Sequence, residues 1–285
     1  MIRIISENAA DRAVITADNT AFGMGTEFLK TDIRGEVCRV LGSSASIVLE
    51  WDNLAQVGAV VVPMSSLGAS STIRVRAYLD KLGTVLIEDT GVKFAVPGAL
   101  LANWDFTQQL NVNIQTGTYK DQPLNVNAFT DTYIPIASVY FSQQWAIRKL
   151  VIDLVDPSAT FIDISRLVVG GYSEFHYGAA YGASVSTLDF TKNSRAESGD
   201  SKSEWGSKAS TLSFDLEWVS SADRSKARQL ISRGIGSNMF FSLLPQHADP
   251  VLERDYSIYG KMAQTGSLSF TFYNIHNTQF KIESF

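Results

Sequence analysis

The chain has 285 residues, 24 lysines and arginines against 29 aspartates and glutamates, and 45% hydrophobic side chains. That much apolar surface excludes a disordered polymer, and a net charge of -5 without basic blocks argues against nucleic acid as the main partner. The single cysteine, Cys38, excludes an internal disulfide framework and any multi-cysteine metal site.

The opening residues, MIRIISENAADRAV, hold no apolar core of signal-peptide length, so no leader is expected. No apolar run approaches the roughly 20 residues of a membrane helix, and the expectation is a soluble protein made in a reducing cytoplasm. Short β-like segments follow. SIVLEW at 46–51 is rich in β-branched residues, and VGAVVVP at 57–63 reads as a buried strand. TIRVRAYL at 72–79 alternates, with Ile73, Val75 and Ala77 on one side and Arg74, Arg76 and Tyr78 on the other. Further strands are expected at 133–141, 147–155 and 161–169. Many short strands between Gly, Ser, Asn and Asp turns point to a sandwich or jelly roll rather than alternating β and α units.

The length favours two domains, and Gly170–Gly171 suits a boundary. The expected domains are 1–171 and 172–285. In the second, strands at 183–190 and 211–218 are joined by the polar stretch 191–210, which reads as the arm of an extended hairpin. Leu212, Phe214, Leu216 and Trp218 share one face of the second strand. A helix is expected over 222–233, capped by Ser220 with Asp223 three residues on and stopped by Gly234. Its apolar stripe is Ala227, Leu230 and Ile231, and Arg224, Lys226 and Arg228 face solvent or a partner, with no internal acidic partner at helical spacing except Asp223, which is adjacent and so points elsewhere. Strands at 239–244, 257–263, 267–273 and 278–284 complete the set.

Little of this carries reaction chemistry. His176, His247 and His276 stand far apart and in no metal-ligand spacing. No nucleophile elbow and no phosphate-binding loop is present, and Cys38 has no readable base beside it, so it reads as a buried structural thiol. Asp153, Asp156 and Asp163 lie near strand ends but lack the dense spacing of a calcium loop. No catalytic, cofactor-binding or metal-ligating residue is assigned, and no cofactor is expected. Trp51 and Trp218 end alternating strands and suit a core, whereas Trp104 and Trp205 are harder to bury and suit contact with a ligand or neighbour. With Arg224, Lys226 and Arg228 they are the candidate contact residues.

Two stretches resemble known proteins. TEFLKTDIRGEVCRVLGSSASIVLEWDNLAQVGAVVVPMSSLGASSTIRVRAYLD, with the later IRKLVIDLVDPSATFIDISRLVVGG, resembles the galactose-binding-like (discoidin-type) jelly roll. LSFDLEWVSSADRSKARQLISRGIGSNMFFSLLPQHADPVLERDYSIYGKM resembles the tail-tube-like β-sandwich with one flanking helix. The whole order resembles tail-tip proteins, distal tail or upper baseplate, of phages with long non-contractile tails; residues 81–132 fit the pattern poorly. The resemblance implies a mainly β protein: an N-terminal jelly roll, then a tail-tube-like sandwich. It implies a structural, non-enzymatic virion component, assembled in the host bacterial cytoplasm into a threefold or sixfold homo-oligomeric ring. Tail tube, tape-measure and hub proteins would be its partners, with fibres beyond them; neither nucleic acid nor membrane insertion is required. Two alternatives stand beside it: a carbohydrate-binding protein that recognises a bacterial surface through jelly-roll loops, and a glycan hydrolase.

Overall fold

The computed structural model describes residues 2–68, 70–96, 136–195, 201–234, 236–247, 250–264, 266–272 and 275–284. The chain is mainly β, with sandwich sheets. It divides into a central unit, Asn8–Gly171 with Ala248–Val251, and a terminal unit, Met1–Glu7 with Tyr172–His247 and Leu252–Phe285. The expected N-terminal domain of residues 1–171 therefore differs in its first seven residues. Within them Arg3–Ile5 joins the sheet of the later chain, pairing with Met239–Ser242 on one side and Ser173–Glu174 on the other.

In chain order, β1 (Arg3–Ile5) is followed by β2 (Val14–Ala17), β3 (Cys38–Leu41), β4 (Ser44–Ser65) and β5 (Thr72–Tyr78). Then come β6 (Leu86–Asp89), β7 (Lys93–Phe94), β8 (Ala137–Val155), β9 (Phe161–Gly170) and β10 (Ser173–Glu174). The terminal unit continues with β11 (Ser184–Asp189), β12 (Lys192–Arg195), β13 (Ser201–Glu204), β14 (Lys208–Ser220) and helix α1 (Arg224–Arg233). It closes with β15 (Met239–Ser242), β16 (Ser257–Met262), β17 (Leu268–Phe272) and β18 (Ile275–Ser284).

The central unit is an antiparallel arrangement in the order β3-β9-β4-β8-β5-β6, with β2 on β4 and β7 on β5. Its two long strands do the joining. One half of β4 (44–50) pairs with 149–155 of β8, which also pairs with β5. The other half pairs with 137–147 of β8 and with β9. The sequence reads each long strand as two short ones. The polar residues around Asp52–Asn53 and Ser142–Gln144 bulge instead of turning back, and the register shifts between Glu50 and Ala55. Inward residues of both halves, among them Ile47, Leu49, Val75 and Ile152 with Val60 and Phe141, make one core. Trp51 is buried in it, as its strand-end position suggests, and donates from Nε1 to the Ala9 carbonyl at 2.8 Å.

The terminal unit is a sheet in the order β10-β1-β15-β16-β18-β14-β11, with β17 on β18. Phe214, Phe241 and Phe280 form its centre, their rings 5.4–6.4 Å apart. Helix α1 lays Ala227, Leu230 and the partly buried Ile231 on that core. It begins two residues later than expected: residues 221–223 form a turn in which Ser220 Oγ accepts the Asp223 N–H at 3.2 Å. Trp218 departs from the sequence reading: a bulge between Leu216 and Val219 moves it off the core face, so Val219 is buried and Trp218 is 57% exposed. Beyond β11 the chain continues as a two-stranded ribbon, β12 against β13, in the stretch read as a hairpin arm.

Candidate functional site

On the central unit, the chain before β3 runs back along that strand. Thr20 bridges Val40, the Ala21 N–H donates to the Arg39 carbonyl at 2.8 Å, and the Arg39 N–H donates to Met24 at 3.1 Å. Within this frame the Met24 N–H returns to Ala21 at 3.0 Å and Gly23 has φ +74°. That is a type II turn, whose third residue needs a positive φ and so favours glycine. Phe22 sits at its apex, fully exposed. The turn fixes the main chain at Phe22 before any ligand arrives, so part of the ordering cost is already met.

Beside it, β3 and β9 pair Arg39 with Asp163 and Leu41 with Phe161 on their outward face. Arg39 grips Asp163 through two parallel hydrogen bonds, Nε to Oδ1 at 2.7 Å and an Nη donor to Oδ2 at 2.8 Å. Its guanidinium lies 4.0 Å from the Phe161 ring centroid. The Asp163 hydrogen bond raises the Arg39 pKa further above its ordinary value, so the cation is permanent. Ser66 fixes the other side of the strand: its Oγ accepts the Asp163 N–H at 2.9 Å. The segments flanking β3 thus carry an exposed ring at the turn on one side and, with β9 on the other, a half-covered ring and a charge-neutral plate of donors and acceptors.

The residues singled out from sequence lie elsewhere. Trp104 falls outside the described residues. Trp205 is 89% exposed where β13 leaves the ribbon. Arg224, Lys226 and Arg228 are exposed on α1, but Lys226 is not unpaired as expected. Its Nζ donates to Asp223 at 2.8 Å and to the Glu174 carbonyl at 3.1 Å, because Asp223, the residue just before the helix, stands three positions before Lys226 and so on its side of the helix rather than facing away. The candidate calcium carboxylates are each engaged separately. Asp153 takes Arg76 at 2.5 Å and Ser46, and Asp163 takes Arg39. Burial pushes the Asp156 carboxyl up, but the N–H groups of Gly68 and Ser158 and the Ser158 hydroxyl hold it below its ordinary value. Among the described residues no group of three His, Cys, Asp or Glu side chains could hold a metal ion. Cys38 is buried, and burial, then Glu27 and Asp163, push its thiol up to about 11.

Sequence reading passed over Phe22 and Arg39. The signal was an apolar residue followed by glycine, AFGM at 21–24, in a polar stretch; nothing in the sequence pairs Arg39 with Asp163.

No family model matches the sequence, and no curated protein does. Among solved structures, the chain is similar to a fucose binding module from Streptococcus pneumoniae, at 11% identity and a TM-score of 0.37, over 57% of this chain and 94% of that one. It is also similar to chitosan-binding module 1 from a chitosanase/glucanase of Paenibacillus sp. IK-5, at 10% identity and 0.39, over 58% and 99%. A third is the CBM32 of AlyQ in complex with 4,5-unsaturated mannuronic acid, at 13% identity and 0.35, over 60% and 97%. The phage-tail kinship implied by the motifs has no counterpart among these three.

Proposed function

We propose that this protein is a non-enzymatic saccharide-recognition subunit whose central unit holds a neutral pyranoside against Phe22 and the Arg39–Asp163 pair. What supports the reading is one observation: a fully exposed ring on a hydrogen-bonded turn, beside a locked guanidinium–carboxylate plate. A pyranose offers an apolar C–H face to an aromatic ring and hydroxyls that both donate and accept. The plate supplies both functions at fixed positions, and its zero net charge suits a neutral sugar better than an anionic one. A glycan array followed by calorimetry tests it. Binding should fall about tenfold in Phe22→Ala and stay unchanged in Trp205→Ala. An array without a hit, or a hit indifferent to Phe22→Ala, overturns the assignment.

The second reading is a structural subunit of a phage tail tip, acting through the terminal unit. The observation that favours it is the ribbon β12–β13 with its exposed Trp205, a projection suited to a neighbouring subunit. Electron microscopy of purified virions labelled with an antibody to the chain separates the two. Labelling confined to the tail tip supports the structural role, and unlabelled virions exclude it.

A further inference from the structure

Next to the Arg39–Asp163 pair, the outward face of β3 and β9 changes character. Leu41 stands opposite Phe161 and is 53% exposed. A leucine beside a half-covered ring makes a small apolar shelf on this face.

The chain before β3 widens the face by one column. Thr20 bridges Val40, whose side chain is buried, so Ala21 stands opposite Arg39 and Asn19 opposite Leu41. Ala21 puts only a methyl group between the Phe22 turn and Arg39. Asn19 has φ +54°, a left-handed backbone that asparagine tolerates. It is exposed, and its side-chain amide makes no hydrogen bond among the described residues. Two rows result: Ala21, Arg39 and Asp163 in one, Asn19, Leu41 and Phe161 in the other.

The rows touch at Arg39. Its side chain leans along the sheet, so the guanidinium lies 4.0 Å from the centroid of the Phe161 ring. Of the five N–H donors of an arginine, two are spent on Asp163. The rest meet no acceptor among the described residues. Free donors therefore lie directly against an apolar shelf. A hydroxymethyl group would satisfy the donors and leave the shelf wet. A bare methyl group would do the reverse. A carboxylate would satisfy the donors but meet the charge of Asp163. An acetyl group is neutral and carries a methyl and an accepting oxygen on one carbon.

We infer that the site takes 2-acetamido pyranosides, with the acetyl methyl against Leu41 and Phe161 and the acetyl oxygen accepting from Arg39. Asn19 borders the shelf with an amide oxygen for the acetamido N–H. The inference rests on the reading of this face as a saccharide site and adds what the saccharide must carry.

Calorimetry on the full chain compares two pairs of methyl glycosides: N-acetylglucosamine with glucose, and N-acetylgalactosamine with galactose. In at least one pair the acetylated sugar should bind about tenfold tighter. Leu41→Ser should bring that ratio to within about threefold and keep the wild-type melting temperature, since the side chain already faces water. Phe22→Ala, which weakens both members of a pair, should leave the ratio as it is. Saturation-transfer NMR on the wild-type chain gives a measure free of any variant: the acetyl methyl protons should receive the largest transfer. Equal binding within both pairs, a ratio that survives Leu41→Ser, or transfer confined to ring protons would overturn the inference and leave the saccharide site standing. If none of the four sugars binds, the inference and the reading beneath it both fall.

Discussion

Asp80 and Asp89 show what single side chains do in this fold. Asp80 folds the β5–β6 turn onto itself, accepting from the Val85 N–H at 2.8 Å and the Thr84 N–H at 3.1 Å, which hold its carboxyl down at about 2. Asp89 accepts the fork of Arg74 and the Gly91 N–H, and also lies at about 2. A depressed carboxylate stabilises the fold fully above its unfolded value near 4 and loses that contribution as pH falls through the folded value. Carboxyl resonances of both residues should therefore titrate near pH 2, and the β5–β6 turn should loosen between pH 4 and 2. Titration of either at pH 4 would contradict the hydrogen bonding described. The wet face of β5 was legible from Arg74 and Arg76 alternating with Ile73 and Val75. Their partners were not, because Asp89 and Asp153 lie on other strands and only pairing register brings them together. Cys38 was legible as a buried thiol, since it lies between Val37 and Arg39 with no base readable beside it.

At the scale of elements, α1 separates a packing face from a wet face. Leu230 and Ala227 are buried against Leu212, Phe214 and Leu216, and truncating a side chain placed like Leu230 to alanine costs about 2–5 kcal/mol. Leu230→Asp should unfold the terminal unit, whereas Arg224→Glu with Arg228→Glu should leave its melting temperature within a few degrees of wild type. Thermal melts of the full chain check both, and a double charge reversal that melts the unit would reverse the two faces. The helix was legible from its stripe and from Ser220 and Gly234. Its neighbourhood was less so. Trp218 follows the same alternation as Leu216, and only the bulge against β18 shows that it leaves the core. In the same way β4 and β8 were legible as strand pieces but not as single long strands. Polar residues at a bulge and at a turn look alike in sequence.

At the scale of the whole molecule, the chain crosses from the terminal unit to the central one and back, and β1 is the outbound end. Three residues, RII, carry too little periodicity to reveal that they pair with residues more than 230 positions later. Ile2 and Ile4 are buried among Phe241, Leu243 and their neighbours, with Arg3 tied to Glu174 at 3.2 Å. Deleting residues 1–7 should therefore speed amide exchange in β10, β15 and β16 while β4 and β8 keep their protection. Equal loss in both units, or none in either, would refute the assignment of β1 to the terminal unit.

The position of β1 also imposes an order in time. On the ribosome, β1 emerges before every other strand of its sheet, and its partner β15 begins only at Met239. At about 5–20 residues per second, the first strand waits on the order of 10–50 seconds for its neighbour. Throughout that interval the central unit can finish folding, while a short apolar segment stays tethered to it with only the two residues of β10, made near its end, to pair. Synthesis thus leaves β1 open on its β15 side until more than 230 further residues have been made.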